Sequence, residues 1–136
     1  MKKLIATFAI LMLVLFSSCN KDSNSSTTDT VAGQWKLVNV NGTFGGINDN
    51  FPEGMIIWNF NPITQMVTVT NNNTDPNLLD VFETGVYTYR FINNLESPCG
   101  ESIEIDGSAY GCYSVANDSL VIDQSIADGF AITLKR

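Results

Sequence analysis

From Val31 to Arg136 apolar and polar positions alternate with a period of two, and short turn clusters interrupt the alternation. Strands are predicted over Gln34–Val40, Met55–Phe60, Met66–Asn71, Gly85–Ile92, Ser102–Asp106, Ala109–Val115, Ser119–Asp123 and Phe130–Lys135. Asn41-Gly42, Asn61-Pro62, Asn71-Asn72-Asn73 and Asn117-Asp118 supply turn chemistry between them, and Asp106-Gly107 is the strongest hairpin signal. In the fourth predicted strand Tyr87, Tyr89 and Phe91 alternate with Val86, Thr88 and Arg90. Asp75 to Phe82 predicts a helical turn or an extension of that strand. Eight short strands with hairpin-length links predict an all-β domain. The expected form is an eight-stranded antiparallel up-and-down barrel, which removes sheet edges by closing. A two-sheet sandwich fits the same pattern.

The pattern before Val31 is different. Lys2-Lys3 precede an apolar stretch from Leu4 to Phe16. It is too short for a spanning helix, which needs about 20 residues, and reads as a secretory signal over residues 1–18. Leu15-Phe16-Ser17-Ser18-Cys19 resembles the bacterial lipoprotein signal, or lipobox. The resemblance implies cleavage before Cys19, lipidation of its thiol and acylation of the new amine, with more than one chain giving a firm anchor. The rival reading is an ordinary signal peptide with an incidental cysteine. Asn20 to Thr30 has no large apolar residue, so residues 19–30 are expected to form a lipidated cysteine and flexible tether, and residues 31–136 the barrel domain. Lys21-Asp22 resembles the charged export tags of some surface lipoproteins. The expected location is the bacterial outer membrane, on its periplasmic or cell-surface side.

Charge and composition narrow the function. The chain has seven Lys and Arg against fourteen Asp and Glu, and no His. Without imidazole there is no Ser-His-Asp or Cys-His catalysis and no His-ligated metal. Loss of residues 1–18 leaves five Lys and Arg against the same fourteen acids, which disfavours nucleic acid as a partner. With Cys19 lipidated, Cys99 and Cys112 form an even pair in an oxidising compartment. A disulfide is expected, with two free thiols or half a metal site as the rivals.

Gly33-Gln34-Trp35 opens the strand pattern, and a long glycine-containing loop follows the first strand. This G-x-W resembles the lipocalin-like families of small bacterial envelope lipoproteins, and the resemblance covers about Val31 to Arg136. It implies a barrel whose closed end is sealed by Trp35 beneath a basic residue of the last strand, Lys135 or Arg136. It also places the loop Thr43 to Gly54 across the barrel mouth, with Phe44, Ile47 and Phe51 as an apolar underside serving as lid or plug. The family's second signature, a Thr-Asp-Tyr-like turn, has no match near Asn117-Asp118-Ser119.

Candidate ligand-binding residues are Phe44, Ile47, Phe51, Trp58, Phe60, Tyr87, Tyr89 and Phe91; the same aromatic residues equally suit the core of a small barrel. Asn48-Asp49-Asn50 and Glu53 offer oxygens of the kind calcium takes, without EF-hand spacing. Glu104 and Asp106 are two apart on one predicted strand, a carboxylate pair or a solvated face. Ser108 lies outside a G-x-S-x-G elbow. No catalytic constellation is present, and neither an enzyme, a metal nor another cofactor is expected. The expected function is binding of a small apolar or amphipathic molecule at the envelope. The alternative is a surface interaction module whose filled barrel is a scaffold, with the protein partner unspecified.

Overall fold

A computed structural model describes residues 30–42, 45–93, 98–124 and 128–136. The signal segment, Cys19 and Phe44 lie outside these residues. The described elements are nine strands: β1 (Gly33–Gly42), β2 (Asn48–Asn50), β3 (Ile56–Asn61), β4 (Met66–Asn71), β5 (Gly85–Asn93), β6 (Glu101–Ile105), β7 (Ser108–Ala116), β8 (Ser119–Asp123) and β9 (Phe130–Lys135). Each of β3 to β8 pairs antiparallel with the next, β1 pairs with β3, and β9 returns to pair with β1 from Lys36↔Lys135 to Gly42↔Phe130. That last ladder closes the sheet into an eight-stranded barrel and rules out the open sandwich.

β2 is the extra strand. It pairs Asn48, Asp49 and Asn50 with Asn41, Val40 and Asn39, beyond the stretch of β1 that pairs with β3. β2 and β3 therefore run along the same edge of β1, separated by the loop around Pro52 to Met55. Asn-Asp-Asn carries no apolar alternation, so periodicity misses it. Its pairing satisfies backbone groups that the upper half of β1 would otherwise expose on that edge.

Side-chain alternation explains the core. Trp35 and Leu37 of β1, Ile56, Trp58 and Phe60 of β3, and Val67 and Val69 of β4 point inward and are buried. Ile103, Ile105, Leu120, Ile122, Ile132 and Leu134 complete the ring from β6, β8 and β9. A bulge between Leu37 and Asn39 shifts the phase of β1, so Val40 rather than Val38 or Asn39 is buried. Asp106 and Gly107 both have positive φ, 51° and 76°, as do Asn117 and Asp118, 50° and 59°. These values are what two-residue type I′ hairpin turns require.

The two barrel ends differ. The base holds Val31, the β3–β4 and β7–β8 turns, and Arg136. There Trp35 donates its indole N–H to the Val31 carbonyl at 2.7 Å. Of the two basic candidates, Arg136 is the one over the Trp35 ring, 4.3 Å from its centroid. Its Nη2 also donates to the Thr30 and Ala32 carbonyls at 2.8 and 3.0 Å. Cys99 and Cys112 are bridged, with their Cα atoms 5.8 Å apart, which excludes the free-thiol and metal readings of this pair.

Candidate functional site at the barrel mouth

The opposite end is capped by the β4–β5 loop, residues 72–84. This corrects the expectation that Thr43 to Gly54 crosses the mouth. Asn48–Asn50 of that segment is β2, hydrogen-bonded along β1, and Phe51 is drawn into the core at 5% exposure. Ile47 is half-buried. In place of a helical turn or a strand extension, Asp75 to Phe82 is one turn followed by irregular chain.

Side-chain amides and carboxylates hold the cap. Asp80 Oδ2 accepts from Asn71 Nδ2 at 2.8 Å and from Asn73 Nδ2 at 3.1 Å. Asn71 Nδ2 also donates to the Phe82 carbonyl, and the Leu79 amide donates to Asp49 Oδ2 at 2.8 Å. Asn48 and Asn50 accept from Asn39 Nδ2, and Glu53 pairs with Lys36 at 3.4 Å. The oxygens that invited a calcium reading are thus engaged in protein contacts, and Asp49 is a staple for the cap.

Beneath the cap, rings meet in sequence. Phe82 lies 5.2 Å from Trp58, 4.7 Å from Tyr87 and 5.3 Å from Tyr110. Trp58 neighbours Phe60 at 6.2 Å, Phe60 neighbours Tyr89 at 5.1 Å, and Tyr89 neighbours Phe91 at 5.7 Å. Trp58, Phe60 and Tyr89 are buried core, Tyr87 is half-buried beside the cap, and Phe91 emerges near the base at 41% exposure, against Tyr113. An eight-stranded barrel has about enough room to fill itself or to hold one small ligand, and these rings occupy much of its axis. Burial raises the phenol pKa of Tyr89. Burial, then the charge of Asp106, raises that of Tyr110. Burial, then the 2.6 Å hydrogen bond to Glu101, raises that of Tyr113. All three stay protonated at neutral pH.

Space remains at one side of the mouth. A cleft of about 230 Å³ is lined by Leu79 and Val81 of the cap, Ser108 and Tyr110 of β7, Gln124, and Phe130 and Ile132 of β9. The lining combines apolar walls with a few polar atoms, the usual make-up of a small-molecule site. Comparison with family models, curated proteins and solved structures finds no match.

That geometry includes one unsatisfied group. Trp58 is fully buried, and its Nε1 has no hydrogen-bond partner among the described residues. Such an orphan donor costs about 1–3 kcal/mol. Periodicity placed Trp58 inside but could not show that its donor lacks a partner among the described residues. It also missed Leu79, Val81, Tyr110 and Phe130. The available signal was two apolar pairs, Leu78-Leu79 and Val81-Phe82, inside an otherwise polar connection.

The carboxylate pair is not assembled. Glu104 makes a two-pronged ion pair with Arg90, at 2.7 and 2.9 Å, while Asp106 sits in the turn at positive φ. The Arg90 hydrogen bonds hold the Glu104 carboxyl below its ordinary range. Ser108 contributes only to the cleft wall.

Proposed function

We propose that the chain is a bacterial envelope lipoprotein, tethered to the outer membrane through lipid on Cys19. Its lipocalin-like barrel takes one small apolar or amphipathic molecule at the mouth. The observation that carries the binding reading is the cleft between the cap and β7–β9, where Leu79, Val81, Tyr110, Phe130 and Ile132 form the apolar wall and Ser108 and Gln124 the polar points. Its volume, about 230 Å³, suits a single ring or a short chain; about 150 Å³ already holds benzene. The lipobox and the polar run Asn20–Thr30 support the anchor. Trp35 beneath Arg136 fits the closed end that the G-x-W resemblance implies.

A second reading is a scaffold that presents its loops to a protein partner and holds no guest. The ring sequence from Phe82 to Phe91 along the barrel axis favours it. Native mass spectrometry of protein extracted from envelopes separates the two. A stoichiometric small-molecule adduct that Tyr110→Ala abolishes supports the cleft. Bare protein from every extraction, together with a co-purifying protein partner, overturns it in favour of the scaffold. The anchor is tested separately: globomycin, an inhibitor of the lipoprotein signal peptidase, is expected to leave uncleaved precursor, and unaffected processing refutes lipidation.

A further inference from the structure

We infer that Trp58 is the polar anchor of the ligand site and that Phe82 is a gate over it, so that the ligand is an uncharged, flat apolar molecule carrying one hydrogen-bond acceptor. The inference rests on the mouth-cleft reading and adds the ligand's chemistry and route of entry.

The two tryptophans supply the contrast. Trp35 and Trp58 face each other across β1 and β3 and are equally buried. Trp35 gives its N–H to a backbone carbonyl, whereas Trp58 gives its N–H to no described residue. Buried donors are nearly always satisfied, and an exception calls for an explanation such as a bound group. Phe82 links this indole to the cleft: its ring lies 5.2 Å from that of Trp58 and 5.3 Å from that of Tyr110, a cleft residue. Phe82 is half-buried and belongs to a loop, so it can swing away without breaking a strand ladder.

The backbone beneath the gate is strained. The Phe82 amide donates to the Asp80 carbonyl at 2.8 Å, closing a three-residue turn around Val81 at φ +70°. That is the rare γ-turn with positive φ, here with a β-branched residue at its centre. Strain of this kind gathers at ligand clamps and switches. In this loop it raises the energy of the closed form and makes opening easier. Asp49, Asp80 and Asp106 surround the mouth, and the described cleft lining contains no cation. The anchor therefore favours a neutral carbonyl over a carboxylate.

The test uses the full chain in amphipol, labelled with ¹⁵N at tryptophan and ¹³C at tyrosine and phenylalanine. Acetophenone and ethylbenzene are the probes: near-isosteres with and without the acceptor. Acetophenone is expected to move the Trp58 indole N–H signal downfield and leave that of Trp35 in place. It should bind about five- to tenfold tighter than ethylbenzene, the effect of one hydrogen bond. Trp58→Phe should abolish that preference. Phe82→Ala should tighten both probes, and Val81→Gly, which relaxes the closed turn, should weaken both several-fold. A Trp58 signal that acetophenone leaves unmoved in both wild type and Phe82→Ala overturns the inference, as does one that keeps its contact to a single water throughout. If Tyr110 and Phe130 signals respond while Trp58 does not, the mouth cleft stands and the anchor falls. If no signal responds, both fall.

Discussion

Gly111 and Gly107 lie four residues apart and both have positive φ, +87° and +76°. Alanine at either position must adopt a backbone that costs an L-residue about 1–2 kcal/mol, partly offset by about 0.4–1 kcal/mol from the stiffer unfolded chain. At Gly107 nothing lies within 4 Å of the added methyl group. The net loss for Gly107→Ala is therefore about 1 kcal/mol. Gly111 sits at the β6–β7 irregularity, where β7 leans on the end of β8. Its methyl group would overlap the Asp123 carbonyl oxygen and lie 3.0 Å from the Asp123 carbonyl carbon and 3.2 Å from Gln124 Cα. All of these are backbone atoms and no rotamer relieves them. The strand end must move, endangering the Cys112↔Asp123 pairing and the 2.7 Å bond from Gln124 Nε2 to the Ala109 carbonyl. Two hydrogen bonds at about 1 kcal/mol each bring Gly111→Ala to about 3 kcal/mol. Urea unfolding followed by the fluorescence of the two buried tryptophans measures both variants. With m of about 1–3 kcal/mol/M, the 2 kcal/mol gap separates their midpoints by about 1 M. Losses within about 0.5 kcal/mol of each other would refute the reasoning, because backbone crowding would then add nothing to the φ penalty.

The Cys99–Cys112 bridge spans a sequence separation of 13, and replacing both cysteines by serine should lower stability by about 3 kcal/mol through the unfolded chain; a urea midpoint matching that of the oxidised parent would contradict this. Arg136→Gln removes the cation over Trp35 and two bonds to backbone carbonyls. The expected loss is about 1–2 kcal/mol, with faster hydrogen exchange at the Trp35 indole, and unchanged exchange would argue against a lock at the base. Glu104 has its carboxyl pKa lowered from 4.5 by Arg90. Its stabilisation is thus present above the unfolded value and fades as pH falls through the lower folded value. Thermal melts of Glu104→Gln and wild type should differ at neutral pH and converge below that window, whereas a constant offset at every pH would exclude the linkage.

The strands were largely legible because one-sided burial leaves a period of two in the sequence. Ile56, Trp58 and Phe60, or Ile132 and Leu134, announce their inward face wherever the chain is read. The type I′ turns were legible too, since Asp-Gly and Asn-Asp tolerate positive φ. β2 was not legible, because Asn48-Asp49-Asn50 is strand only by virtue of its partner on β1. The cap was not legible for a related reason. Leu79, Val81 and Phe82 lie in a polar loop, and their apolar character acquires a target only when the barrel mouth exists beside them. The candidate site combines residues from that loop, from β7 and from β9, which share no local spacing.

Local chemistry along the chain determined the eight barrel strands, their inward faces and the two tight turns. Those features depend on neighbours a few residues away, whose periodicity and turn preferences are written in order. Tertiary structure decided that β9 meets β1, that Arg136 rather than Lys135 covers Trp35, and that the β4–β5 loop closes the mouth. It also decided that one of two equally buried indoles lacks an acceptor among the described residues. Closure, capping and hydrogen-bond satisfaction depend on groups far apart in the chain, and they take definite values only when the sheet has curled and brought those groups together.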